Sequence, residues 1–277
     1  MAFRRNILPK CVEDALATGL LVLMIPTCFY FQFFVVVPTY HEQWGTGYNL
    51  NLIASTVLLF GVCANFLALI LTDTSVKKLP ARSRAHSDWR YCTECKEFAP
   101  PRSWHCKICD VCILQRDHHC LFTSCCVGFD NQRYYLVLLF YMLLSQLYGA
   151  YYSFYFSKDF LIDWSWYSIV KFAFPVFFLF THFDVNQIYI LIINLMLSGM
   201  VGTAILFQYH VELMLKSFVT YERKTTKSAS KYDRGRLKNV EIVLGSRWYL
   251  VWIAPWIKSP PPCDGTNWEL LEAIKGA

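Results

Sequence analysis

Residues 92–126 read CTECKEFAPPRSWHCKICDVCILQRDHHCLFTSCC, a dense run of cysteine and histidine. Eight of the twelve cysteines of the protein lie in these residues. A Cys-x2-Cys pair can place both of its sulfurs on one tetrahedral Zn²⁺, and the run contains several such pairs. Two sites of three cysteines and one histidine would leave two cysteines and one histidine of the run over. The run therefore predicts a zinc-binding region with a thiol that is free for other chemistry.

The tetrapeptide Asp117-His118-His119-Cys120 lies inside this run. Cysteine is nucleophilic as the thiolate, and a neighbouring base lowers the pKa of the thiol. A carboxylate beside that base can orient the imidazole and stabilise its protonated form. The tetrapeptide therefore predicts a reactive cysteine with its own general base.

Four segments without a charged residue flank the cysteine-rich run. Each is at least as long as the ~20 residues that an α-helix needs to cross the hydrocarbon core of a bilayer. The alternative is a soluble protein, but 277 residues cannot supply enough material to surround four such helices. We therefore predict an α-helical multi-pass membrane protein with two transmembrane helices on each side of the run. The segments are 15–37, 51–71, 134–157 and 186–209.

Lysine and arginine are distributed unevenly among the connections. Positions 38–50 contain neither residue, whereas the N-terminus, the cysteine-rich region and the chain after the fourth segment contain many. The positive-inside rule predicts that both termini and the cysteine-rich region are cytosolic. A fifth apolar stretch, 164–181, contains Lys171 and Pro175. Because this orientation needs an even number of crossings, we interpret that stretch as a lumenal interfacial or re-entrant piece.

This orientation divides the chain into five parts. They are a cytosolic N-terminus 1–14, transmembrane helices 15–72, a cytosolic zinc region 73–133, transmembrane helices 134–209, and a cytosolic tail 210–277. Thiols in the cytosol stay reduced, which favours metal binding or catalysis over disulfides. The net charge of +6 fits attraction to anionic lipid head groups. Because the basic residues are spread over juxtamembrane segments, we expect no nucleic-acid partner. No internal repeat is evident.

Other zinc modules fit the run less well. A RING-type ubiquitin ligase would close with a second Cys-x2-Cys pair, but Cys125 and Cys126 are adjacent. A C2H2 finger needs a spacer between its terminal histidines, and His118 and His119 have none. A zinc-bearing channel or transporter remains an alternative, although the four spanning segments carry no Asp, Glu, Lys or Arg of the kind that ion pathways use.

From Cys92 through Arg102 and His105 to Asn131, the sequence resembles the cysteine-rich domain of the DHHC protein S-acyltransferases. The resemblance is continuous over these residues, and the flanking helices occur in the family's positions, two before and two after. In the tail, the pattern Asn239-x3-Val-Leu-Gly245 is similar to a C-terminal element of the family. The resemblance therefore covers most of the chain, strongly at 92–131 and loosely elsewhere.

The resemblance implies two structural zinc ions and an acyl-enzyme. Cys120 would be the nucleophile, His118 its base and Asp117 the orienting carboxylate. Acyl-CoA would supply a palmitoyl group, which a cysteine of a membrane-associated protein accepts in a ping-pong reaction. Arg116 and Lys107 are candidate contacts for the CoA phosphates. The implied ligand sets are Cys92, Cys95, His105 and Cys112 for one zinc, and Cys106, Cys109, His119 and Cys126 for the other.

The sequence departs from the family at several positions. Leu121-Phe122 stands where Pro-Trp is usual. The usual Thr-Thr-x-Glu after the fourth helix is aligned with residues 225–228, Thr-Thr-Lys-Ser, so its acid is expected to be missing. We predict a protein S-palmitoyltransferase. The alternative is a catalytically weak family member that acts as a membrane scaffold or accessory subunit. An ER or Golgi membrane is the family-level expectation for its location.

Overall fold

A computed structural model describes residues 2–79, 88–163, 165–225 and 230–268. In these residues the chain forms helices and three two-stranded antiparallel hairpins. The helices are α1 Val12–Tyr30, α2 Thr46–Leu71, α3 Gln132–Phe156, α4 Trp166–Ala173, α5 Pro175–Thr181, α6 Val185–Leu215, α7 Thr220–Thr225 and α8 Arg236–Leu244. The strands are β1 Arg90–Cys92, β2 Glu97–Ala99, β3 Trp104–Cys106, β4 Val111–Ile113, β5 His118–Cys120 and β6 Cys125–Val127.

Four helical segments of the described chain are long and apolar enough to cross a membrane. Helices α1 and α3 continue through π-helical turns, so the segments are Val12–Thr39, Thr46–Leu71, Gln132–Leu161 and Val185–Leu215. The six strands lie between the second and third of them. The prediction of four spanning helices with a cysteine-rich region in the middle is therefore confirmed.

Helix α6 ends later than the sequence suggested. It continues to Leu215, whereas the predicted spanning segment ends at position 209. The uncharged stretch ends at Glu212, but a charged or polar residue does not by itself end a helix, since glutamate is a good helix former. The extension brings His210 into the last turns of α6, where the sequence analysis assigned no function.

The apolar stretch at 164–181 does not form a single long helix. The described residues 165–181 fold as α4 and α5, which meet at Phe174 in a non-helical conformation. Pro175 is the first residue of α5, where its missing N–H costs nothing. Helices of 8 and 7 residues are too short to span a bilayer, as expected for this stretch. Its interfacial position stays a prediction.

The chain forms two compact units. One contains residues 1–21, 63–138 and 208–277, and the other contains 22–62 and 139–207. The second unit has an apolar core that includes Phe31, Val36, Phe156, Ile193 and Met196. The first unit contains all three hairpins and every predicted site residue.

The three hairpins share one backbone shape. In each, the first strand ends at a cysteine and the residue four positions later has a positive φ: 53° at Lys96, 55° at Asp110 and 48° at Ser124. The three turns are therefore spaced 14 residues apart, as are Cys92, Cys106 and Cys120. The expectation that the chain lacks an internal repeat was wrong. The repeat consists of a backbone shape and a few ligands, so it leaves little overall sequence similarity.

Candidate functional site

The first group of metal-type ligands joins the first two hairpins. Cys92, Cys95, His105 and Cys112 bring one sulfur or nitrogen each to within 4.8 Å of one another. The Sγ of Cys95 lies 3.3 Å from Nδ1 of His105. Tetrahedral sulfur and nitrogen ligands at ordinary zinc bond lengths lie about 3.6 Å apart, so this group could hold a zinc ion.

The second group repeats the first, shifted by 14 residues. Cys106, Cys109, His119 and Cys126 also converge within 4.8 Å. The Nδ1 of His119 lies 3.4 Å from the Sγ of Cys109 and 3.7 Å from that of Cys126, and those two sulfurs are 3.7 Å apart. These separations fit a second zinc ion equally well. Neighbouring Cys125 is not a member, as the family register implied.

The third hairpin explains why Cys120 is left over. Cys120 occupies the position that Cys92 and Cys106 occupy in the first two hairpins. The position of Cys95 and Cys109 is taken by Thr123, so no second sulfur completes a knuckle. The third hairpin therefore has the same backbone shape as the other two but lacks their pair of cysteines in the turn. The thiol of Cys120 belongs to neither metal group.

Strand β5 separates the two adjacent histidines. Successive side chains of a strand point to opposite faces, so His118 and Cys120 share one face and His119 lies on the other. His119 faces its cross-strand partner Cys126 in the second metal group. His118 instead lies against Asp117, with its Nδ1 2.6 Å from a carboxylate oxygen. The structure thus brings together the three residues predicted to be catalytic, and they are separate from the eight ligands of the two metal groups.

Asp117 is buried and held from two directions. Its backbone N–H donates to the carbonyl of Val127, which continues the β5–β6 hairpin. Its Oδ1 accepts hydrogen bonds from the backbone N–H of Thr220 at 2.6 Å and from the Thr220 hydroxyl at 2.9 Å. Its Oδ2 faces His118. Both oxygens are thus committed, and the orientation of the carboxylate is fixed.

The electrostatics of this triad favour a charge-separated pair. Burial disfavours the imidazolium, but hydrogen bonds with Asp117 and Cys120 outweigh burial and raise the pKa of His118 to about 9. Burial is the largest single effect on the Cys120 thiol and raises its pKa, but the hydrogen bond and charge of His118, together with hydrogen bonds from Thr123 and the backbone of Phe122, outweigh burial, so the net pKa is lowered. Burial raises the pKa of nearby Cys125 to about 12. Of these two buried thiols, Cys120 is the one set up as a thiolate.

His210 is a member of this site that the sequence analysis missed. Its ring packs against His118 with centroids 5.2 Å apart and against Tyr135 at 4.9 Å. Its buried Nδ1 lies 3.4 Å from Oδ2 of Asp117. The only feature of the sequence that marks His210 is its position directly after the predicted apolar segment 186–209. A single histidine at the end of a helix is too common to indicate a function.

The Thr-x-Glu element of the tail was assigned to the wrong residues. It is predicted at 225–228, of which only Thr225 is described, and its acid is expected to be missing. Thr220 instead binds Asp117, and two positions later Glu222 receives two hydrogen bonds from Arg102, at 2.9 and 2.7 Å. The acid is therefore present at Glu222, and the tail is docked on the cysteine-rich region.

The guanidinium of Arg102 is a second anchor for this docking. Its side chain is fully buried and also donates to the carbonyl of Ser217. It lies over the rings of Tyr232 and Trp268, 4.3 and 4.6 Å from their centroids. One arginine thus connects the cysteine-rich region with three separate parts of the tail.

The two predicted CoA contacts have different surroundings. Lys107 is exposed, as a phosphate contact requires. Arg116 is half-buried, and although burial lowers its pKa, the sulfurs of Cys126 and Cys106 raise it more. Arg116 therefore faces the second metal group, and its role towards CoA stays a prediction. Phe122, in place of the usual tryptophan, is exposed two residues after Cys120.

Comparisons with known proteins agree with this geometry. Residues 85–227 match the family described as DHHC palmitoyltransferase. The chain is 31% identical to mouse (Mus musculus) probable palmitoyltransferase ZDHHC24 over 236 residues, 79% of this chain and 78% of that protein. It is 30% identical to the zebrafish (Danio rerio) protein of the same name, over 84% of this chain and 80% of that protein. Human palmitoyltransferase ZDHHC15 is 32% identical over 66% of this chain and 52% of that protein. The chain belongs to the DHHC palmitoyltransferase family.

Proposed function

We propose that this protein transfers a long-chain acyl group, typically palmitoyl, from acyl-CoA to cysteine side chains of membrane-associated proteins. The observation that carries the proposal is the position of Cys120. It is a thiol outside both metal groups, it shares a strand face with His118, and Asp117 holds that histidine through Nδ1. This is the arrangement of an activated nucleophile with an oriented base.

The reaction has two thioester exchanges. In the first, His118 takes the proton of Cys120 at Nε2, because Nδ1 is bonded to Asp117. The thiolate attacks the carbonyl carbon of acyl-CoA, a new C–S bond forms, and the CoA sulfur leaves and receives the proton. In the second, His118 deprotonates the substrate cysteine, whose thiolate attacks the acyl-enzyme, and the proton returns to Cys120. Both exchanges convert one thioester into another, so positioning and thiolate supply are the main demands on the protein.

We assign the metal ions a structural role. Cys92, Cys95, His105 and Cys112 would hold one zinc, and the equivalent four residues 14 positions later would hold the other. Closed four-ligand sites of this type stabilise a fold and leave no position for a substrate. Zinc in the second site would fix the backbone of β5, and with it the orientation of His118 and Cys120.

The chain that follows the nucleophile suits an apolar substrate. Leu121 and Phe122 come directly after Cys120 and are 44% and 48% exposed. Exposed apolar side chains next to a reactive thiol favour contact with an acyl chain or with the bilayer that delivers it. We assign Lys107 and Arg116 to the phosphates of CoA.

The proposed setting is an intracellular membrane, ER or Golgi, with both termini and the zinc region on the cytosolic side. The distribution of lysine and arginine supports this orientation. Acyl-CoA is then available to the site, and membrane-associated substrate proteins are concentrated beside it. No nucleic-acid partner is proposed.

Two-step labelling of the purified protein tests the function. The full-length protein is incubated with radiolabelled palmitoyl-CoA, freed of unbound CoA, and then mixed with a cysteine-containing peptide anchored in lipid vesicles. We expect label on the protein first and on the peptide second. A catalytically weak scaffold would acquire no label. Direct transfer without an acyl-enzyme would label the peptide only while palmitoyl-CoA is still present.

A further inference from the structure

We propose that Asp14 is a positioning residue that orients His119 in the second zinc site and thereby ties the start of α1 to the strand of the nucleophile. This inference rests on the proposed zinc ions. The carboxylate oxygens of Asp14 lie 3.0 and 3.2 Å from Nε2 of His119. Asp14 is completely buried although it belongs to the first turn of a membrane-spanning helix.

The two ring nitrogens of His119 have separate partners. Nδ1 faces the sulfurs of Cys106, Cys109 and Cys126 at 3.4–3.7 Å. Nε2 faces Asp14. A histidine that gives one nitrogen to a metal carries its proton on the other, and a carboxylate that accepts this N–H fixes both the tautomer and the ring orientation. Asp14 is in the position of such a carboxylate.

The first zinc site has no comparable carboxylate among the described residues. The nearest equivalent is Asp110, whose Oδ1 lies 3.8 Å from Nε2 of His105, beyond hydrogen-bond distance. The Asp110 side chain is 86% exposed, so water screens its charge. The two sites have equivalent ligands, but only the second has a carboxylate within hydrogen-bond distance of its histidine among the described residues. The second site is also the one that includes strand β5, which contains Cys120.

Other contacts of the N-terminal chain reach the same region. One turn before Asp14, the ammonium of Lys10 donates to the carbonyl of Cys109 at 2.7 Å. One turn after Asp14, the Thr18 hydroxyl lies 2.9 Å from the carbonyl of Leu121 and 2.6 Å from the hydroxyl of Ser124. The start of α1 therefore contacts both the second metal group and the turn that follows Cys120, with Asp14 between them.

A general benefit to helix α1 does not account for these contacts. A carboxylate in the first turn is favoured by the helix dipole, and exposed Glu13 already supplies one. A buried carboxylate carries a large desolvation penalty unless a specific partner compensates for it. For Asp14 that partner is His119, so its burial indicates a role at the metal site.

The rate of zinc release tests this role. Full-length protein in detergent is mixed with excess chelator, and the two zinc ions are followed as they appear in the chromogenic complex. We expect Asp14→Asn, which removes the charge with little change in shape, to release one of the two ions about 10–100-fold faster than the unmodified protein. Isolation of this variant with one zinc per chain instead of two would have the same meaning.

Three matched variants separate this role from general loosening. Glu13→Gln removes a neighbouring charge from the same turn, Thr18→Val removes contacts on the same helix, and Asp110→Asn removes the exposed acid near the first site. Each should release zinc at the unmodified rate. Equal release rates in Asp14→Asn and the unmodified protein, or faster release of both ions together, would overturn the inference. An unmodified protein without zinc would instead refute the proposed metal sites.

Discussion

Replacing Thr220 by valine removes one hydrogen bond from the carboxylate of Asp117, which we propose orients the catalytic base, and leaves the shape of the side chain nearly unchanged. The hydroxyl of Thr220 donates to Oδ1 of Asp117 at 2.9 Å. The backbone N–H of the same residue donates to the same oxygen at 2.6 Å and would remain. The substitution therefore loosens Asp117 without leaving its oxygen unpaired. Because Asp117 orients His118, we expect slower formation of the acyl-enzyme.

The size of the effect follows from the hydrogen bond. A hydrogen bond to a charged group contributes about 1.5–3 kcal/mol. The remaining N–H compensates in part, so the lower end of this range applies. If that energy is lost from the transition state, the rate falls about tenfold, since each 1.36 kcal/mol corresponds to a factor of ten. Zinc content should not change, because Thr220 contacts no metal ligand in the described structure.

Thr225→Val provides the matched control. Thr225 also lies in α7, but its hydroxyl donates to the backbone carbonyls of Tyr221 and Glu222 instead of to Asp117. Single-turnover acylation with fluorescent palmitoyl-CoA, measured by rapid quench, gives the rate for each variant. A Thr220→Val rate equal to that of the unmodified protein would refute the orienting role of the tail, and so would an equal loss in Thr225→Val.

Three further changes probe the site and the topology. His118→Ala should slow acyl-enzyme formation by about 10²–10⁴-fold, as expected for loss of a general base, and should retain two zinc ions. His119→Ala should instead lose one zinc. Burst kinetics and elemental analysis measure the two effects, and zinc loss in His118→Ala with none in His119→Ala would contradict the assignment. His210→Phe keeps the ring packing but removes the nitrogen near Asp117, so the acylation rate should fall about two- to tenfold. An unchanged acylation rate would show that His210 contributes only its packing. Glycosylation acceptors inserted at 38–50 should be modified in cells and those placed after position 210 should not, so a glycan on the tail would show that the chain crosses the membrane an odd number of times.

The metal groups, and a thiol that lies outside them beside His118, could be predicted because the residues that form them are close together in the sequence. Cysteine and histidine in a short run have few uses in a reducing compartment, and the resemblance supplied the pairing. The 14-residue spacing of the ligands could have supplied the same pairing. This spacing is inconspicuous in the sequence because the three turns have positive φ at Lys96, Asp110 and Ser124, which are residues of different types.

The remote members of the site could not be predicted in the same way. Asp14 lies 105 residues from His119, and His210 lies far along the chain in another helix. Neither stands in a motif, and each alone looks like an ordinary helix-end residue. The tail element was misplaced for a related reason: Thr225-Thr226 resembles the expected pattern more closely than Val219-Thr220 does. Only the tertiary contacts of Thr220 and Glu222 identify the right segment.

Mapping the acylated cysteine tests the central claim most directly. Purified protein is treated with palmitoyl-CoA, and intact-mass and peptide mass spectrometry locate the added acyl group before and after hydroxylamine. Cys120→Ser is compared with Cys125→Ser, a buried cysteine five residues away that belongs to neither metal group. We expect one hydroxylamine-sensitive palmitoyl group on Cys120, abolished in Cys120→Ser and retained, with both zinc ions, in Cys125→Ser. Full acylation of Cys120→Ser, with undiminished transfer to a substrate peptide, would contradict the assignment of Cys120 as the nucleophile.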